Sequence, residues 1–224
     1  MTQERRQRSW LEAALDEPNP SARLQAALTA GTSPDQAYVD VLVTRCATEP
    51  DFFVRDMLTW ALTRHDPSAT AERLLGELRS PIAQARSQAL HSLSKIGDPR
   101  TWDGITTELL RDIDDEVART AWRTAAAVVP PDLAADLAER LSTQFNRGGP
   151  RVQLSLSRAF ATLGTAAAAV VERAKTDRDP GVRAHAIATE RLMRNPDEDL
   201  GAAIAEARRT VALLGAPMVE VGEC

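Results

Sequence analysis

Apolar residues in this chain recur at intervals of three and four, the period of a helix with one buried face. One short phrase opens such a run again and again: a small or branched apolar residue, often followed by arginine, with a second small or apolar residue four places on. The anchors are Ala22, Val54, Ala85, Val117, Val152 and Val182, spaced 32, 31, 32, 35 and 30 residues apart. Four places after each come Ala26, Leu58, Ala89, Ala121, Leu156 and Ala186. Six copies at a near-constant period are an internal repeat. Each period has room for a second amphipathic segment, and residues 37–48, 69–79, 99–112, 132–145, 165–176 and 200–214 supply one. Between segments stand HDPSAT, KIGDPR, VPPD, NRGGP, DRDPG and RNPD, whose Pro, Gly and Asp end one helix and start the next. Alternation of the strand type is absent. The pattern predicts an all-α chain of about six helix pairs.

Composition agrees with that reading. Hydrophobic residues make up 43% and charged residues 26%, enough apolar surface for a packed core, and the aromatic share of 4% leaves alanine-rich helices to pack closely. The formal net charge of −5 argues against bulk attraction to nucleic acid or to an anionic membrane, though not against a local basic strip. Arginine supplies nearly all the positive charge, Lys95 and Lys175 being the only lysines. No apolar run at the N-terminus has the length of a signal peptide, and no stretch reads as a bilayer span, so a cytoplasmic location with no membrane partner is expected. Cys46 and Cys224 lack metal-ligand spacing and read as a reduced buried thiol and a tail thiol.

Helix pairs at this period, entered by the phrase D-P-x-V-R-x-x-A, resemble HEAT repeats, specifically the short repeats of phycobilisome-lyase-like HEAT proteins. Asp179, Pro180, Val182, Arg183 and Ala186 carry the phrase in full; Pro81, Ala85, Arg86 and Ala89 carry most of it, and Val54 with Arg55 a part. Ala118 and Gln153 replace the arginine in the fourth and fifth copies. The resemblance implies a right-handed α-solenoid over residues 18–214. Residues 1–17 then form an N-terminal capping helix, and residues 215–224 a flexible tail. In such a solenoid the second helix of each pair lines the concave face, where partners bind.

Helical geometry sorts the positions on those second helices. The anchor and positions +4, +7, +8 and +11 fall on one buried face, and +2, +5, +6 and +9 on the opposite side. Down the stack, that opposite side carries Trp60, His91, Arg119, Trp122, Arg123 and Arg158, with Lys95 near its edge. Cationic and aromatic groups exposed together suit an anionic, ring-bearing or peptide partner. A second reading has the arginines solvated or paired with acidic neighbours and both tryptophans packed between repeats. The arginine after the anchor (Arg23, Arg55, Arg86, Arg183) reads as a structural ladder.

Catalytic motifs are missing: the sequence has no G-x-S-x-G, Walker A or G-x-G-x-x-G pattern. His65, His91 and His185 lie on different repeats, and none forms the His-Glu dipeptides with which HEAT-like deoxyhypusine hydroxylases hold iron. No catalytic residue, metal or cofactor is therefore assigned. Residues 51–67, DFFVRDMLTWALTRHDP, also resemble a segment of the HEAT-like alkylpurine DNA glycosylases through the paired Phe, Trp60, and the Leu and Arg that follow. That resemblance implies Trp60 as an aromatic wall against a cationic base, Arg64 as a backbone contact and Asp56 as a partial stand-in for the family's carboxylate. The expected function is a non-enzymatic scaffold that binds a protein or peptide. A DNA-binding or glycosylase-like role and a bilin-lyase-like small-molecule chaperone role stand as alternatives.

Overall fold

Each repeat phrase acts first through local hydrogen bonds. In four of the six copies the side chain three places before the anchor caps the helix that follows; Ile82 and Gly149 stand there in the other two. Asn19, Asp51, Asp114 and Asp179 all hold extended backbone while a side-chain oxygen accepts from the first free amides, as Asp51 does from Phe53 (2.8 Å) and Val54 (3.0 Å). The arginine after the anchor then folds back: its Nη1 donates to the carbonyls five and six residues earlier. Arg23 reaches Glu17 and Pro18, Arg55 reaches Glu49 and Pro50, Arg183 reaches Asp177 and Arg178, and Arg86 reaches Ser80, all within 2.7–2.9 Å. The repeated arginine thus pins the loop that enters its own helix. In two copies its other nitrogens also grip a carboxylate 26 residues on, Glu49 for Arg23 and Asp112 for Arg86.

The structure is a computed structural model that describes residues 3–197 and 199–214, and among these it is helical with no strand. The tail expected at 215–224, with Cys224, lies outside the described residues. Two compact units divide the chain between Pro130 and Pro131. The first contains α1 (Gln3–Leu15), α2 (Pro20–Thr32), α3 (Val39–Cys46), α4 (Phe52–Leu62), α5 (Pro67–Glu77), α6 (Ala83–Ile96), α7 (Thr107–Leu110) and α8 (Asp115–Val128). The second contains α9 (Ala134–Ser142), α10 (Pro150–Leu163), α11 (Ala168–Ala174), α12 (Pro180–Arg194) and α13 (Leu200–Leu214).

The anchors open α2, α4, α6, α8, α10 and α12, and every residue four places after an anchor is buried. A second buried register was not evident in the sequence pattern. Thr59, Ser92, Thr124, Ser157 and Thr189 recur every 32 or 33 residues, each a buried hydroxyl. Within the first unit, Thr59 meets Ser92 across α4 and α6 (3.4 Å), and Thr124 Oγ1 lies 3.0 Å from the Leu90 carbonyl across α6 and α8. Within the second, Ser157 meets Thr189 across α10 and α12 (2.7 Å). Small polar side chains let neighbouring helices approach while satisfying one another's hydroxyls.

Four of the partner helices, those expected at 37–48, 99–112, 132–145 and 165–176, are shorter than the periodicity predicts. Residues 99–112 form a 3₁₀ turn, Pro99–Gly104, and the single turn α7 rather than one helix. A Cβ at Gly104 would collide with the Leu75 side chain, so the turn approaches α5 at a glycine. Similar 3₁₀ turns precede α3, α9 and α11. Where the sequence reading expected no stretch suited to a bilayer, Pro150–Ala174 is long and apolar enough by length and composition. In the fold it is interrupted by Gly164 at φ +57°, with a 3₁₀ turn between α10 and α11.

Candidate functional site

In the first unit, α4, α6 and α8 each present one polar stripe that the core does not use. On α4 the stripe is Asp56 and Trp60, with Arg64 just past its C-terminal end; on α6, His91 and Lys95; on α8, Arg119 and Arg123. Trp60 is 37% exposed. The six-membered part of its indole rests on Gly31 of α2, where any Cβ would overlap the ring. Arg64 lies over the same indole, its guanidinium carbon 6.0 Å from the ring centroid, a cation–π contact. The signal for this seat was present in the sequence as a lone glycine inside an alanine-rich helix.

One helix further, Arg123 Nη2 donates to His91 Nδ1 at 3.3 Å. That bond leaves the imidazole neutral with its proton on Nε2. Burial holds the His91 pKa below its ordinary value, and the positive charges of Arg123 and Lys95 lower it further against the opposing pull of Asp56. Arg123 is shifted down too, by burial and then by Arg119, with Glu116 opposing. Arg119 is paired with Glu116 at 2.7 Å. Arg123, Lys95 and Arg64 have no carboxylate within ion-pair distance among the described residues. The result is a concentration of positive charge beside an exposed indole, in a chain whose formal net charge is −5.

Trp122 departs from its expected place. It is 0% exposed, and its Nε1 donates to the Leu110 carbonyl at 2.8 Å. With α7 reduced to one turn, there is room beside α8 for a whole indole, and the last carbonyl of that turn needs a donor. Position +5 therefore belongs to the core, and Trp122 leaves the candidate face. Arg158, on α10 of the second unit, is exposed and makes no side-chain hydrogen bond or ion pair among the described residues. His91, Arg119, Arg123 and Trp60 are what the first unit brings to one face.

The second unit holds a serine–histidine contact that merits a chemical reading. His185 Nδ1 accepts from the Asn146 amide (3.0 Å), so the proton sits on Nε2, which lies 3.0 Å from Ser157 Oγ and 3.1 Å from the Gln153 carbonyl. An Nε2–H has no lone pair with which to take a proton from Ser157, and both side chains are buried. The group is a packing node: Phe145 stacks on Phe160 (centroids 4.9 Å apart) and meets the His185 ring edge-on. Among the described residues, no cluster of His, Cys, Asp or Glu has the composition of a metal site. The Cys46 thiol is buried, and burial pushes its pKa up to about 12.

No family model and no curated protein matches the chain. Among the solved structures that match is the crystal structure of an engineered protein from the Northeast Structural Genomics Consortium. It is 19% identical, the match covers 94% of this chain and 98% of that one, and the TM-score is 0.46.

Proposed function

We propose that the chain is a HEAT-like repeat scaffold, a right-handed α-solenoid in type, that binds a protein or peptide in the cytoplasm without catalysing a reaction. The observation that carries the reading is the face formed by α4, α6 and α8. Trp60 is held half-exposed on a glycine seat with Arg64 over its ring, and Arg123 on α8 and Lys95 on α6 have no carboxylate within ion-pair distance among the described residues. Half-exposed aromatics and arginines are the side chains that anchor protein interfaces. The pinned loops and buried hydroxyl register make these helices a rigid platform on which such a face keeps its shape.

The test is a pull-down from native lysate with wild type and with a Trp60→Ala/Arg123→Ala/Arg158→Ala variant whose fold is verified by circular dichroism. Partners retained by wild type and lost by the variant support the reading, and identical partners from both overturn it. A glycosylase-like reading has one observation in its favour, the exposed Asp56 one turn from Trp60. It requires salt-sensitive retention of DNA and release of alkylated purine dependent on both residues. No retention at low salt removes it.

A further inference from the structure

The face on α4, α6 and α8 has an electrostatic requirement that narrows its partner. Arg64, Lys95 and Arg123 have no carboxylate within ion-pair distance among the described residues, while Asp56 and Glu116 are the acidic groups whose charge acts on His91 and Arg123. Arg119 already holds Glu116, and Asp56 sits on the far side of His91 from Arg123, on α4. Arg123 is exposed, and among the described residues its side-chain bond goes to a neutral imidazole rather than to a carboxylate. Cations that repel one another across neighbouring helices without carboxylate partners gain by taking up an anion through charge-assisted hydrogen bonds. An incoming carboxylate can accept hydrogen bonds from Arg123 and Lys95, and the Nε2–H of His91 can donate to one of its oxygens.

We infer that this face binds an acidic peptide segment, one carboxylate of which sits among Arg123, His91 and Lys95 while an apolar side chain covers Trp60; the inference rests on the scaffold reading above. Spacing follows from the helices. Thr59 and Ser92 hydrogen-bond across α4 and α6, so these are direct neighbours, and packed helix axes lie about 8–10 Å apart. An extended peptide rises about 3.3 Å per residue. An apolar residue over Trp60 and an acidic residue over His91 are therefore about three positions apart along the peptide. The half-buried Leu24 and Leu28 on α2 continue the apolar end beyond Trp60. A nucleic-acid strand fits less well, because its further phosphates would meet a chain of net charge −5.

The experiment is selection of random dodecapeptides by phage display on the full chain, beside a random single-stranded DNA pool at the same salt. Selected peptides are expected to carry Asp or Glu about three places from an apolar residue. They are expected to lose about tenfold in affinity when that acid is changed to its amide. Arg123→Ser removes the preference for acid, and Arg123→Glu with Lys95→Glu turns selection toward basic peptides, an outcome an unfolded variant cannot give. Binding of the acidic peptides raises the His91 titration midpoint, read by NMR. Selected peptides that depend on Trp60 but show no preference for acid overturn this inference and leave the scaffold reading standing. Peptides indifferent to both Trp60 and Arg123, or no enrichment at all, overturn both. Enrichment of the DNA pool through the same residues overturns both in favour of nucleic acid.

Discussion

Glu49 is 0% exposed and accepts four hydrogen bonds, from Nε and Nη2 of Arg23, Nε of Arg45 and the backbone amide of Asp51, with Arg45 Nη2 also in ion-pair contact. Burial alone would raise its pKa, but the hydrogen bonds of Arg23, Asp51 and Arg45 outweigh it and hold the carboxyl at about 2. A folded-state value below the ordinary one means that ionised Glu49 stabilises the fold above about pH 4.5. The contribution is lost as the pH falls from there through 2. Glu49→Gln is expected to cost on the order of 3 kcal/mol, because it leaves buried guanidinium groups short of a counter-charge. Urea midpoints of the two proteins at pH 7 and pH 3 check this: the gap narrows at low pH, and an unchanged gap contradicts the assignment. At Gly31 the consequence is steric. Gly31→Ala puts a methyl group into the Trp60 ring, so the indole must swing toward solvent at a cost of about 1–3 kcal/mol. The difference in fluorescence between Gly31→Ala and the same variant carrying Trp60→Phe isolates the Trp60 contribution, which shifts to the red.

At the scale of the element, the caps separate the copies of the repeat. Asn19, Asp51, Asp114 and Asp179 bond the amides of their helices, whereas Ile82 occupies the same place before α6 and makes no such bond. Ile82 is also exposed. Ile82→Asp is therefore expected to stabilise the chain by about 1 kcal/mol, and Asp51→Ala to destabilise it by a similar amount. Paired thermal melts read both signs, and a neutral Ile82→Asp shows that the loop before α6 does not adopt the capping geometry. The element scale also explains Trp122. Helical phase places position +5 away from the anchor stripe, but whether that flank meets solvent depends on the length of the neighbouring first helix. Here that segment is a 3₁₀ turn and the single turn α7, and the indole packs beside it on the Leu110 carbonyl.

Over the whole molecule, the two units carry different acid-sensitive groups. Burial lowers the His185 pKa to about 4, so the native ring is neutral while the unfolded chain takes up a proton below about 6.5. Its stabilising contribution is present above pH 6.5 and is lost between there and 4. Glu49 acts in the lower window, between 4.5 and 2. All four tryptophans, Trp10, Trp60, Trp102 and Trp122, belong to the first unit. On acid titration, far-ultraviolet circular dichroism, which sees both units, is expected to fall at a higher pH than tryptophan fluorescence, which sees the first. His185→Asn should bring the two transitions closer. Coincident transitions in the wild type would mean that the units unfold as one.

The helical character, the start of each second helix, the buried stripe four places from each anchor and the capping residues were all legible in the sequence. They depend on interactions within a few residues, which periodicity records. Trp60, His91, Arg119 and Arg123 were legible as candidates because helical phase turns positions +2 and +6 away from the anchor stripe, although in the last copy the same positions, Ala184 and Ala188, are buried against α13. Only the tertiary structure decided between the exposed and the packed tryptophan. The glycine under one ring lies 29 residues away in sequence and the carbonyl that receives the other lies 12 away. It also decided which cations are spent, pairing Arg119 with Glu116 and Arg23 with Glu49 while leaving Arg123 against a neutral histidine. A helical period fixes the direction in which a side chain leaves its helix. What it meets there depends on neighbouring helices whose lengths and breaks the period does not record.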